Sequence, residues 1–357
     1  MEGMEGVVVA ETRTSCVDGE AGELLIRGWP VAELAGRAPF EAVCALVLDG
    51  ALDGPPVALG PARARAFERL EALGGALALE DPMDALRASI AQLDGGASAA
   101  EVIGAVAVFA AAWARRAAGA APLAPDPRAG HAADYLRMAR GREASHAEIA
   151  ALDAYFAAVV DHGMNASTFA ARVVASTQSD RVSAIVAAIG ALKGRLHGGA
   201  PGPVLDMLDA VGEADAGGAA EAADAWVRAA LARGERIMGM GHRVYRVRDP
   251  RAEVLERAAA SLGGASGRLA LARAVEAAAD RALSQGKPGR ALRANVEMYT
   301  AVLLDALGLA RALFTPTFAC ARVAGWCAHY DEQRQGGRLI RPRARYVGPG
   351  ATDRSAA

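Results

Sequence analysis

The sequence predicts a mainly α-helical protein with a small N-terminal β-hairpin. Three observations carry that expectation. The composition is 53% hydrophobic but only 5% aromatic, and much of the apolar content is alanine and leucine. Such a mixture favours closely packed helices over sheets. Apolar residues recur at helical spacing from Pro39 onward. Glycine and proline clusters then cut the pattern into segments of ordinary helix length. The 357 residues suit one large domain or two unequal ones.

The elements follow in order. Residues 7–26 hold two short β-like runs around Asp18-Gly19, a hairpin signal. Helices are expected over residues 62–73, 82–93 and 99–116. The longest apolar run, Val102 to Ala114, lies between Glu101 and Arg115-Arg116. It is too short to span a bilayer and fits a buried helix. Residues 121–130 carry three prolines and read as a loop. Residues 145–160 predict a helix, and residues 167–190 predict one or two more. Gly194 and Gly198-Gly199 break the pattern, and Pro201-Gly202-Pro203 restarts it. Residues 211–222 look like a soft connector, followed by a helix to Arg233. Residues 252–262 and 269–285 are helical, 286–289 a turn. Residues 295–307 and 314–333 complete the helices, and 348–357 resemble a frayed tail. No fixed-period repeat appears, which disfavours a solenoid.

A net charge of −2 selects neither nucleic acid nor an anionic membrane, so attraction to anions must be local. Cys16, Cys44, Cys320 and Cys327 form no CxxC pair. They read as small buried hydrophobes in a reducing compartment, here the cytoplasm. The first residues offer neither a basic region nor a signal-like apolar stretch. The Asn165-Ala166-Ser167 sequon is therefore not read as a glycosylation site. Six histidines are present, none with zinc-type spacing, so no metal site is expected. The chain also lacks a P-loop, a GxSxG elbow and a complete dinucleotide fingerprint.

The densest chemistry lies between Gly239 and Arg251. His242, Arg243, Arg246, Arg248 and Arg251 follow the glycines of Gly239-Met240-Gly241, and Asp249-Pro250-Arg251 closes the run. Glycine lets backbone approach a ligand closely. Arginine forks match carboxylates and phosphates. The pattern suits an anionic substrate with a polarisable carbonyl; a solvated basic loop is the plainer alternative.

Four other places stand out. His197, in Leu196-His197-Gly198-Gly199, precedes a helix start, where partial positive charge favours the neutral imidazole. A neutral histidine there can donate to a carbonyl; a surface-turn histidine is the alternative. His162 precedes Asn165 and Ser167, which could cap a helix while the histidine faces a cleft. Glu297, near the start of an apolar helix, is either a first-turn charge or, if desolvated, a general base. Arg322 lies among Ala, Cys, Val and Gly and cannot be buried cheaply without an anionic partner. Arg341 belongs to a C-terminal basic patch.

Together these segments resemble the citrate synthase family. The marks are His162 with Asn165-Ala166-Ser167-Thr168-Phe169, Leu196-His197-Gly198-Gly199, Gly241-His242-Arg243-Val244-Tyr245, Asp249-Pro250-Arg251 and Asn295-Val296-Glu297-Met298-Tyr299. Each is weak alone, but their order and spacing are specific, and the likeness spans nearly the whole chain. The resemblance implies a two-domain helical fold: residues 1–198 and 308–357 as a large domain, 199–307 as a small one. It implies a homodimer with shared active sites, acting on oxaloacetate and acetyl-CoA in the tricarboxylic acid cycle. It implies His197, His242 and Glu297 as catalytic residues, and His162, Arg251, Arg322 and Arg341 as oxaloacetate ligands. Arg341 would cross the dimer interface, and Arg246 would meet CoA phosphate. No cofactor, nucleic acid or membrane partner is implied.

Two departures matter. Glutamate replaces the more usual aspartate at 297, as in a branch of bacterial citrate synthase-like proteins. Pro201-Gly202 replaces the usual Asn-Glu after His-Gly-Gly-Ala. Two further readings therefore stand beside citrate synthase: a 2-methylcitrate synthase using propionyl-CoA, and a weakly catalytic CoA-binding regulator. A pocket separates one methylene by only ~1–3 kcal/mol.

Overall fold

The computed structural model describes residues 4, 6–199, 201–213, 218–242, 244–263, 266–286 and 293–348. A three-stranded antiparallel sheet opens the chain: β1 (Ser15–Asp18), β2 (Glu23–Ile26) and β3 (Trp29–Pro30). Ser15 pairs with Ile26 and Asp18 with Glu23, so residues 19–22 form the turn. The expected hairpin is present but starts later. Val7 and Val8 lie outside it and are exposed.

Fifteen α-helices follow among the described residues: α1 (Val31–Leu34), α2 (Phe40–Asp49), α3 (Leu59–Glu68), α4 (Pro82–Ile90), α5 (Ala99–Ala117), α6 (His131–Arg140), α7 (His146–Val159), α8 (Ala166–Ser176), α9 (Arg181–Leu192), α10 (Pro201–Glu213), α11 (Ala219–Ala232), α12 (Pro250–Ala260), α13 (Ser266–Gly286), α14 (Val296–Ala306) and α15 (Phe314–Gly336). Side-chain caps explain several starts. Ser98 and Ser145 build capping boxes with Glu101 and Glu148 at the heads of α5 and α7. Asp81 and Asp249 cap α4 and α12, each followed by a proline that needs no amide partner.

Several expected boundaries move. α3 and α4 end at Glu68 and Ile90, short of the expected 73 and 93. The supposed connector over 211–222 is helical up to Glu213 and again from Ala219. Most of the expected turn over 286–289 and of the tail beyond Gly348 lies outside the described residues, as does Arg243.

The core centres on α5 and α15. Val102 to Ala112 are buried all round on α5, as expected for its apolar run. α15 threads the middle and packs against α2, α4, α5, α7, α8 and α9. Cys320 and Cys327 share this helix and are buried, and Cys44 is buried on α2. Cys16 is exposed, contrary to expectation, because it points from the outer face of β1. α10 to α14 pack on one another and meet the remainder through α12 against α7 and α1, and through α10 against α15. Among the described residues, no helix is long and apolar enough to cross a membrane.

Candidate active site

Four segments converge. The turn after α7 brings His162. The α9–α10 connection brings His197. The loop before α12 brings His242, Tyr245, Asp249 and Arg251. The head of α14 brings Glu297. Backbone bonds clasp the last two segments together. Gly241 N donates to Arg293 O at 2.7 Å, Asn295 N to Gly239 O at 2.9 Å, and Asn295 Nδ2 to Gly241 O at 2.8 Å. Gly239 and Gly241 have φ of 75° and 85°, a region that favours glycine. A Cβ on Gly239 would also stand 3.0 Å from Met298 Cβ.

The three rings His162, His242 and Tyr245 stack edge to face or tilted, with centroids 4.8–5.5 Å apart. His242 Nδ1 accepts from the backbone amides of Val244 at 3.0 Å and Tyr245 at 3.1 Å. Its lone pair is thereby committed, and its proton belongs on Nε2, which has no hydrogen-bond partner among the described residues. Burial, with Arg251 nearby, lowers the His242 pKa to about 4. His162 Nε2 lies 3.1 Å from the Tyr245 hydroxyl. Burial first, then Arg251 and Arg322, hold His162 well below the usual histidine range.

His197 Nε2 lies 2.8 Å from Ser167 Oγ, and Trp326 Nε1 donates to the same oxygen at 3.1 Å. The Ser167 hydroxyl has one proton and two possible acceptors, His197 Nε2 and Asn165 Oδ1 at 2.8 Å. Asn165 alone caps α8 through Thr168 N. The sequence suggested both Asn165 and Ser167 for that task; Asn165 performs it, and Ser167 lies against His197. Burial, then Arg322, brings the His197 pKa to about 4. Glu297 follows its cap, Asn295, in the first turn of α14. Burial raises its pKa to about 7, with Asp249 adding and Arg251 and Arg236 opposing.

The two buried arginines differ. Arg251 donates Nε and Nη2 to the two oxygens of Asp249, at 3.0 and 2.7 Å. Arg322 is 1% exposed. It donates Nε to Val159 O at 2.7 Å and stacks over Phe318 at 4.6 Å. Among the described residues no carboxylate pairs with it directly. Burial and Arg251 lower its pKa to about 10. Such a guanidinium calls for an anion from outside the fold. The described residues hold no group of three or more His, Cys, Asp or Glu able to bind a metal ion.

Two expected site residues stand elsewhere. Arg246 is exposed on the surface, 3.9 Å from Glu20 at the hairpin turn. Arg341 is exposed on the extended segment after α15. That segment is tied to α8 where Ile340 N donates to Ser176 Oγ at 3.1 Å.

The sequence model described as citrate synthase, C-terminal domain, matches residues 3–343. The chain belongs to the citrate synthase family. A citrate synthase of Haloferax volcanii is 37% identical over 381 residues, covering 97% of this chain and 95% of that one. A 2-methylcitrate synthase of Mycobacterium tuberculosis is 39% identical over 365 residues, covering 97% and 90%. Citrate synthase from the archaeon Thermoplasma acidophilum, solved as a ternary complex with carboxymethyl coenzyme A and oxaloacetate, aligns with a TM-score of 0.86 at 29% identity. It covers 98% of this chain and 96% of that one. As a citrate synthase family member the protein is an acyltransferase-type enzyme. Ser167, Tyr245 and Asp249 lie inside the quoted motifs but without the roles they take here, and sequence reasoning did not single out Asp161. The partners of Ser167, Tyr245 and Asp161 are remote in sequence and become visible only in the fold.

Proposed function

We propose that the protein condenses acetyl-CoA with oxaloacetate and water to give citrate and CoA. One observation carries the reading. An acid raised to about 7 and two histidines lowered to about 4 stand around the buried arginines Arg251 and Arg322, and among the described residues Arg322 has no carboxylate partner. This is the set that enolate chemistry on a thioester requires. A carboxylate alone is too weak to deprotonate a thioester methyl appreciably, so the enolate must be stabilised where charge develops.

Glu297 removes the methyl proton. His197 donates to the thioester carbonyl from Nδ1, which requires that Ser167 give its proton to Nε2 rather than to Asn165 Oδ1. His242 polarises the ketone of oxaloacetate through Nε2–H and protonates the new alkoxide. His162, Arg251 and Arg322 hold the dicarboxylate. Arg246 meets the CoA phosphates from the surface. Hydrolysis of citryl-CoA releases the products. Every step uses side chains, so the reaction as written needs no metal or redox cofactor. Residues 199–307 form the small domain of this reading.

The protein acts as a cytoplasmic homodimer whose sites are shared. Ile340 is tethered at Ser176, nine residues beyond Ser167 on α8. That places the root of Arg341 about 13 Å along the helix axis from the His197 contact, which favours service to the partner's site over its own. Buried, unpaired thiols at Cys44, Cys320 and Cys327 fit a reducing compartment.

The 39% identity to a 2-methylcitrate synthase supports a second substrate, propionyl-CoA. Thiol release from acetyl-CoA and from propionyl-CoA, each with and without oxaloacetate, tests both readings. Release from neither leaves the regulatory alternative.

A further inference from the structure

A buried polar relay runs behind His162, and no step of the condensation uses it. Its centre is His329 on α15, fully buried. Arg172 Nη1 lies 2.7 Å from His329 Nδ1 and must donate, because a guanidinium cannot accept. The Nδ1 lone pair is therefore engaged, and the ring donates Nε2–H to Asp161 Oδ2 at 3.2 Å. Asp161 Oδ2 also accepts from Ser15 Oγ at 2.5 Å and from Gly163 N at 3.2 Å. Ser15 Oγ accepts from Gly163 N at 2.8 Å. The Asp161-His162-Gly163 turn is thus pinned on both sides of the substrate histidine.

The relay also runs the other way. Arg172 Nε donates to Gln333 Oε1 at 3.0 Å, and Gln333 Nε2 donates to Arg338 O at 3.0 Å. Arg338 lies three residues before Arg341, on the same extended arm. Asp161, His329, Arg172 and Gln333 are each at most 3% exposed. Among the described residues, Asp161 Oδ1 has no hydrogen-bond partner. Burying so many polar groups is costly, and apolar residues of similar volume often stabilise a fold as well or better. Stability alone is a poor reason for this chain of bonds.

We propose that His329 is a positioning residue for two oxaloacetate ligands at once: His162 of its own chain, through Asp161, and the Arg341 arm, through Arg172 and Gln333. The second half rests on the shared-site reading. The link makes each subunit's own pocket and the arm it lends answer to one imidazole.

Two variants separate the halves. His329→Gln keeps a donor near the Nε2 position but offers Arg172 nothing at Nδ1. His329→Asn keeps an acceptor near Nδ1 but does not reach Asp161. Each homodimer should show KM for oxaloacetate raised roughly tenfold, as for outer-shell orienting groups, with kcat changed far less. Each is then co-expressed with Glu297→Gln, and mixed dimers are isolated by dual tags. The live site there belongs to the His329 variant and borrows the arm of the Glu297→Gln chain. Native KM should return for His329→Gln and stay raised for His329→Asn. Native KM in both homodimers, or KM still raised in the His329→Gln mixed dimer while the control below recovers, overturns the proposal.

The control is Arg341→Ala paired with Glu297→Gln. If its mixed dimers recover nothing, the shared-site reading fails instead, and the homodimer KM values judge the relay within one chain. Ser15→Ala and Gln333→Ala each remove one end link and leave His329 in place. Should the His329 variants not fold, persistence of the raised KM in mixed dimers of the first and recovery in those of the second support the relay. Native KM in both homodimers overturns it.

Discussion

Replacing Glu297 by Gln should make the protein more stable and nearly inactive together. Burial raises this acid from 4.5 to about 7. A carboxyl whose folded pKa is raised disfavours the folded state once it must ionise. The cost is absent below about pH 4.5, grows as pH rises, and levels off above about 7. A rise from 4.5 to about 7 corresponds to roughly 3 kcal/mol between the protonation states. Glutamine stays neutral and escapes that cost. Relative to the parent, Glu297→Gln should therefore gain up to about 3 kcal/mol at pH 8 and almost nothing at pH 4.5. Loss of the general base should cut kcat ~10²–10⁴-fold, with oxaloacetate binding nearly intact. Urea unfolding of the ligand-free proteins at pH 4.5, 6 and 8, beside a turnover assay, reads both effects. A stability change independent of pH would refute the perturbed acid. Near-native turnover would reduce Glu297 to a helix-start charge.

Three further outcomes are expected. The same acid must be ionised to act, so kcat/KM should rise with pH through about 7 and lie about tenfold below its plateau at pH 6; His197 and His242, near 4, add no second limb there, and a flat profile from pH 6 to 8 contradicts the assignment. Asp249→Asn leaves the buried Arg251 without its carboxylate and should cost about 3–5 kcal/mol in urea unfolding; a loss below about 1 kcal/mol would show that Arg251 is satisfied otherwise. In Gly19→Ala the new Cβ would stand 2.3 Å from Val244 O. The hairpin turn should then part from the His242 loop, losing the Arg246 N to Gly19 O bond at 2.8 Å; kcat/KM should fall at least tenfold, and unchanged kinetics would deny the turn any part in holding that loop.

Much of this was legible in the sequence, for identifiable reasons. The helices expected over 99–116 and 145–160 match α5 and α7 closely, and serine caps at Ser98 and Ser145 fix those starts. The apolar run from Val102 to Ala114 could only be a buried helix. The short helices α1 and α6 were not foreseen, because α1 is a single turn and α6 follows a proline-rich loop without a side-chain cap. His162, His197, His242, Arg251, Glu297 and Arg322 were all picked out as chemical, and the fold gathers them. What the sequence hid were the residues that set their protonation. Nothing local pairs Ser167 with His197, thirty residues on, or Asp161 with His329, 168 residues away. Arg246 and Arg341 matched their motifs, yet both lie on the surface, where motif spacing carries no information about reach.

The central place of α15 bears on how the molecule is made. A ribosome delivers α2, α5, α7, α8 and α9 long before the helix that fills the space between them. Until Phe314 to Gly336 emerges, those helices lack a shared apolar partner. Thr12 must likewise wait for Glu332, 320 residues later, to form their 2.8 Å bond. Long sequence separation slows folding, and exposed apolar faces invite aggregation in the interval. Shielding of the growing chain is then a requirement of this architecture, and nascent chains halted before residue 314 should be protease-sensitive throughout.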